Sequence, residues 1–181
     1  MADAPYEEKI ERVRERYNKS FRNSPNSPLT AEQKLDFKGL SYFPIDEKFK
    51  IIVEMKKLDN QNEITILSSK GDERKYIQFA YIEFDLEGHK NRLTILKPSQ
   101  HNYLFLPFKD KTTGNETYKG GRYVEVERLS DDKTVVDFNL AYNPLCAYDD
   151  RWNCAGIPEE NILEIPLSAG QKKYDDYRST A

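Results

Sequence analysis

Histidine and cysteine are scarce in this 181-residue chain, which holds two of each. Cys146 and Cys154 are too few for a disulfide framework, and in a reducing compartment they are expected as thiols. A metal site needing two histidine ligands would have to use both His89 and His101, which sit beside turn segments, so no metal is assigned. No apolar run approaches the roughly 18 residues of a membrane span. The opening MADAPYEEKIERVRERY also lacks the apolar stretch of a signal peptide, so a cytoplasmic protein without a membrane partner is expected. Net basic charge is missing too: 28 basic against 31 acidic residues leave −3, without the electrostatic footprint of a nucleic-acid binder. Zincin, Walker, Rossmann, EF-hand and nucleophile-elbow spacings are all absent.

Aromatic rings are abundant instead. With 12 Tyr, 9 Phe and 1 Trp, the chain carries enough ring area to close one core, although only 38% of it is hydrophobic. Tyr6, Ile10, Val13, Tyr17 and Phe21 recur at steps of three and four, which predicts one amphipathic helix from Pro5 to about Arg22. The SPNSP run at 24–28 breaks it, so residues 1–28 read as a helix and linker ahead of a single β domain over 29–181. Thr30 followed by Gln33 predicts a capping box for a second short helix, closed by Gly39.

Eight β-branched and aromatic runs follow, at 49–55, 63–69, 75–86, 92–97, 103–108, 122–129, 134–138 and 162–167. Hairpin-type turn signals at 59–62, 70–72, 86–88, 113–115 and 130–132 make antiparallel neighbours the expectation. No helical pattern separates the strands, so the fold class is mainly β (α+β): an antiparallel barrel or sandwich behind short N-terminal helices. The 119–126 segment echoes an RNA-recognition octamer but has Gly121 and Val126 where that motif stacks bases, and it is rejected. Gly120-Gly121 reads as a strand entry or bulge.

Special chemistry concentrates at 137–161, a loop too long to be a mere connector, which holds the only Trp and both cysteines. The two cysteines admit four readings: metal ligands, a disulfide, a nucleophile, or small buried apolar residues under a Trp lid. Asp137, Asn139, Tyr142 and Asn143 suit either a polar site or the satisfaction of loop backbone. Pro144 and Pro158 stiffen the loop, and Glu160-Asn161 can tie its return.

Three blocks carry a resemblance: FKGLSYFPID at 37–46, LFLPFKDKTTGNETYKGGRY at 104–123, and DFNLAYNPLCAYDDRWNCAGIPEENILEIPLSAGQK at 137–172. Together they resemble the archaeal and bacterial domain-of-unknown-function family DUF1684. The Asn-Pro-x-Cys-Ala-Tyr core at 143–148 and the Trp-x-Cys at 152–154 are the specific parts. Members follow the second cysteine with Pro-Leu-Pro-Pro. Here Ala155-Gly156-Ile157-Pro158 stands instead, which implies a differently shaped loop. The resemblance implies no activity and no cofactor; it implies that the three blocks converge.

The leading expectation is a domain binding a polar or anionic small molecule, with Arg122, Tyr123, Asp137, Asn139, Tyr142, Asn143, Tyr148 and Trp152 lining the pocket. Arg122 would meet an acidic group, and its removal is expected to abolish binding while sparing the fold. One alternative is an enzyme using Cys146 or Cys154 with Asp137 or Glu160 as acid or base. Another makes the N-terminal helix a docking element for a partner or a second copy of the chain.

Overall fold

The period of three and four in the N-terminal segment does produce a helix, α1 (Tyr6–Asn23), with Glu7 and Glu8 in its first turn and Arg22 in its last. In the computed structural model, which describes residues 4–174, α1 lies on the β domain. The extreme ends of the two expected segments, 1–3 and 175–181, fall outside the described residues. Ile10 and Phe21 are buried on its inner face. Three polar ties hold that face: Tyr6 donates to the Asp137 carboxylate at 2.9 and 3.0 Å, Arg14 to the Phe43 carbonyl at 3.0 Å, and Leu40 N–H to Asn18 Oδ1 at 2.9 Å.

The SPNSP stretch ends α1 but is not a loose arm. Ser27 Oγ donates to the Phe21 carbonyl at 2.6 Å and accepts from Leu29 N–H at 3.2 Å, satisfying groups that the helix end leaves open. Ser27 and Leu29 are consequently buried. Helix α2 (Ala31–Asp36) opens on the expected capping box, with Thr30 and Gln33 exchanging bonds at 2.8 and 3.1 Å.

The strands are β1 (Lys50–Lys57), β2 (Glu63–Leu67), β3 (Glu73–Leu86), β4 (His89–Pro98), β5 (Leu106–Phe108), β6 (Arg122–Val124), β7 (Val126–Arg128) and β8 (Lys133–Asp137). Six of them form one antiparallel sheet ordered β2-β3-β1-β8-β7 with β4 on the other edge of β3; β5 and β6 form a second, small sheet. The 59–62 turn signal is not a hairpin. β1 and β2 run in the same direction along β3, pairing with 80–82 and 73–77, so 58–62 is an excursion between two collinear strands. The β3–β4 connection is a true hairpin: Glu87 and Gly88 both take positive φ, +53° and +80°, as a two-residue turn of the primed type requires.

Two further expectations are corrected by pairing. The 122–129 run is two strands rather than one, because the chain passes from the small sheet to the large one at Glu125. The 162–167 run keeps a strand's alternation, with Leu163, Ile165 and Leu167 buried, yet joins no ladder beyond one parallel bridge between Lys109 and Ile162. Its downstream carbonyls are taken by a side chain: Arg122 donates to Leu167 O at 2.8 Å, Gln171 O at 3.1 Å and Ala169 O, and pairs with Asp110 at 3.0 Å.

The main core packs Ala80, Ile82, Phe84, Leu93, Ile95 and Leu106 of the strands against Phe138 and the buried residues of the 163–169 segment. A second cluster joins Phe21, Leu29, Phe37 and Tyr148 beneath the helices, and a third joins Ile66, Tyr76, Leu96 and Ala155. Among the described residues no helix is long and apolar enough to cross a membrane.

Candidate functional site

An open groove of about 420 Å³ lies where these last two clusters meet. Five parts of the chain supply most of its wall, and Gln171 completes it. Helix α1 contributes Tyr17 and Phe21; β3 contributes Arg74 and Tyr76; the approach to β5 contributes Tyr103 and Phe105; β6 and the residue after it contribute Tyr123 and Glu125; the 137–161 loop contributes Tyr142, Asn143, Tyr148 and Cys154. Residues from one strand appear in pairs two apart because alternate side chains share a face of the sheet. Tyr123 makes edge contacts with Phe105 at 4.7 Å and Tyr142 at 5.9 Å, an arrangement aromatic rings favour.

Polar tips anchor the rings. Tyr123 Oη donates to Ala155 O at 2.5 Å, Tyr142 Oη to Glu125 Oε1 at 3.1 Å, and Tyr148 Oη to Gln171 Oε1 at 2.9 Å. Burial pushes all three hydroxyls up from their ordinary values, so each remains a protonated donor near neutral pH. Arg74 donates to the Asn153 carbonyl at 2.7 Å, which fixes its guanidinium on the groove wall.

The eight expected site residues divide evenly. Tyr123, Tyr142, Asn143 and Tyr148 line the groove; Arg122, Asp137, Asn139 and Trp152 do not. Arg122 is 1% exposed; its two terminal nitrogens donate to Asp110 and three carbonyls, while its buried Nε has no partner. Burial pulls its guanidinium down from the ordinary value while Asp110 holds it up. Arg122 therefore lies inside the fold, away from the groove. Asp137 caps the turn at Phe138–Leu140 through Asn139 N–H and accepts from Tyr6. Asn139, fully buried, exchanges bonds with the Asp46 backbone at 2.8 and 3.1 Å. Trp152 donates to Pro28 O at 3.3 Å, pinning the loop to the linker.

Tyr17, Phe21, Arg74, Tyr76, Tyr103, Phe105 and Glu125 also line the groove, though none was expected at the site. The spacing of Arg74 and Tyr76, and of Tyr103 and Phe105, signals a shared face, but nothing local says which face the loop would roof.

The cysteines converge, as free thiols, at one side of the groove. Cys146 N–H donates to Cys154 Sγ at 3.2 Å, and Tyr118 Oη approaches Cys146 Sγ at 3.7 Å. Cys154 N–H donates to Ser69 Oγ at 3.1 Å, and Ser69 N–H to Cys154 O at 2.8 Å, so the turn after β2 holds the backbone of this residue in place. A hydrogen bond from the Cys154 thiol, supported by Tyr118 and Ser69, draws Cys146 down to about 6 against the opposing effect of burial. The neighbouring Cys146 and burial push the Cys154 thiol up from its ordinary value. Asp137 and Glu160 are engaged elsewhere, the latter by Gln78 Nε2 at 2.8 Å. Among the described residues no group of three or more His, Cys, Asp or Glu is placed to hold a metal ion.

Gly121 shows the structural role expected of the glycine pair. Its φ is +88°, and a Cβ there would meet the Phe108 carbonyl and Ile157 at 2.7 Å, so backbone packing fills the space a ligand would need.

The family description "Protein of unknown function (DUF1684)" matches residues 35–172, which include all three motif blocks. The chain belongs to the DUF1684 family. A solved relative is the solution NMR structure of an uncharacterized protein of Haloarcula marismortui. It is 35% identical, with 92% of this chain and 94% of that chain covered at a TM-score of 0.71. No match was found among the curated proteins. The matched region of this DUF1684 chain begins after α1, so Tyr17 and Phe21 of the groove wall lie outside it.

Proposed function

We propose that this DUF1684 chain is a small-molecule binding β domain whose ligand occupies the aromatic groove. The observation that carries the reading is the groove's lining: Tyr and Phe rings from five separate parts of the chain surround one open volume, with a fixed guanidinium, Arg74, on the wall. Rings held by hydroxyl anchors give large contact area at little entropic cost, which suits a ligand with a planar or apolar part. Arg74 replaces Arg122 as the group that would meet an acidic substituent. The passage of residues 122–128 from one sheet to the other supports describing the scaffold as a partly open barrel.

The docking-helix alternative draws no support from α1, whose Ile10 and Phe21 are covered within the chain. The test is a ligand search by native mass spectrometry and thermal shift, repeated on Tyr103→Ala and Arg74→Gln. Tyr103 is 55% exposed, so its removal should leave the fold intact. Each variant is expected to lose about tenfold in affinity for a captured ligand, the scale of one ring contact or one charged hydrogen bond. Unchanged affinity in both would place the ligand elsewhere.

A further inference from the structure

Beside the groove, the chain brings together a pair of thiols whose geometry exceeds what packing needs. Cys146 and Cys154 are separated by a short loop, and both are only half-buried. Each sulfur has its own donor: Cys154 Sγ accepts from Cys146 N–H at 3.2 Å, and Cys146 Sγ faces the Tyr118 hydroxyl at 3.7 Å. The single Tyr118 hydroxyl proton is shared between this sulfur and the Cys146 carbonyl at 3.3 Å. An inert buried cysteine pair packs among apolar side chains, whereas this one is ringed by Tyr118 and Ser69.

We propose that Cys146 and Cys154 form a dithiol site that reduces a small hydroperoxide, with Cys146 as the attacking sulfur and Cys154 as the resolving one. This goes beyond the groove's ligand and does not depend on it. The Cys146 thiolate attacks the terminal oxygen of R–O–O–H; the O–O bond breaks, an S–O bond forms, and Cys146 becomes a sulfenic acid. The departing alkoxide takes the Cys154 proton and leaves as an alcohol. The Cys154 thiolate then attacks the sulfenic sulfur, forming the Cys146–Cys154 disulfide and expelling hydroxide, which solvent protonates to water. Two electrons pass from the sulfurs to the peroxide oxygens, and two equivalents of an external low-molecular-weight thiol restore the dithiol as they join into their own disulfide.

Geometry favours this order. The Tyr118 hydroxyl points at Cys146 Sγ from 3.7 Å, and the neighbouring Cys154 draws the Cys146 thiol down while its own is pushed up. Burial pushes Tyr118 up from its ordinary value, so it remains a donor throughout. Partial burial admits a small oxidant more readily than a bulky disulfide.

The test uses the full chain, reduced and then exposed to hydrogen peroxide, with intact-mass and peptide mapping under non-reducing conditions and a folding check by circular dichroism. The wild type should form the intramolecular Cys146–Cys154 bond while consuming one equivalent of peroxide. C154S keeps a hydroxyl donor toward Cys146 and should trap a dimedone-reactive sulfenic acid there, whereas C154A should react about tenfold more slowly. Y118F should also slow the first step by roughly tenfold. The proposal is overturned if the folded wild type keeps both thiols under peroxide, if sulfenic acid accumulates on Cys154 in C146S as fast as on Cys146 in C154S, or if only intermolecular disulfides form.

Discussion

Arg122 shows how much a single buried charge can organise. Its guanidinium, paired with Asp110 at 3.0 Å, also holds three carbonyls of the segment returning from the loop. Removing it would leave the buried Asp110 charge unpaired, with Oδ2 and those carbonyls losing their donor while Oδ1 keeps Thr112 and Leu167 N–H. Arg122→Ala is therefore expected to lower stability by about 3–5 kcal/mol, read from urea denaturation. A loss below about 1 kcal/mol would mean that water reaches Asp110 and that the pair is not the anchor described. Cys146 makes a different kind of prediction. With its thiol drawn down to about 6, the thiolate already dominates at pH 7. Its alkylation rate should sit near its plateau there and fall as pH drops below about 6, whereas an ordinary thiol would still be rising through about 8.5. Iodoacetamide labelling resolved by peptide mass distinguishes the two; a midpoint between about 8 and 9 would show that Cys154 does not stabilise charge on its neighbour.

At the scale of elements, α1 behaves as a wall of the domain rather than an appendage. It buries Ile10 and Phe21, ties Tyr6 to Asp137, and gives Tyr17 and Phe21 to the groove. Deleting residues 1–28 is expected to cost about 3–6 kcal/mol from the two buried side chains alone and to lower Tm, checked by thermal unfolding. A shortened chain with unchanged Tm and a changed oligomeric state would instead restore the docking-element reading. The loop's far end is fixed by Asn161, whose side chain exchanges bonds with the Thr94 backbone and also donates to Pro107 O, all at 2.8 Å. That tie matches the role its place before Ile162 suggests. The 162–167 run was legible as apolar alternation and still mistaken for a strand. Alternation records which side chains are buried, while ladder membership depends on who accepts from and donates to the backbone, and here a side chain intervenes.

For the molecule as a whole, the groove exists only because helix, two sheets and loop meet at one place. A ligand filling it links binding to folding: at a hundredfold excess over Kd it should add about 2.7 kcal/mol to stability, visible as a rise in Tm that Tyr103→Ala diminishes. The groove's tyrosines come from α1, β3, β6, the approach to β5 and the loop, so no stretch of sequence contains the site. Half of the expected site residues line it: Tyr123 of β6, and Tyr142, Asn143 and Tyr148 of the loop. An arginine's exposure cannot be told from its type: Arg122 turns inward, while Arg74, on β3, lies on the wall.

The amino-acid sequence by itself determined the local elements, the family and the reach of the long loop. Helix period, the Thr30–Gln33 box, strand alternation and turn residues are interactions between near neighbours, and the three motif blocks are contiguous text. Only the tertiary structure decided that β1 and β2 share one edge of β3, that Glu125 divides a strand between two sheets, and that Arg122 is an internal anchor. It also decided that Cys146 meets Cys154 beside Tyr118. Each of these depends on which distant backbone groups and side chains meet, and a pattern of period two or three to four carries no information about partners across the chain.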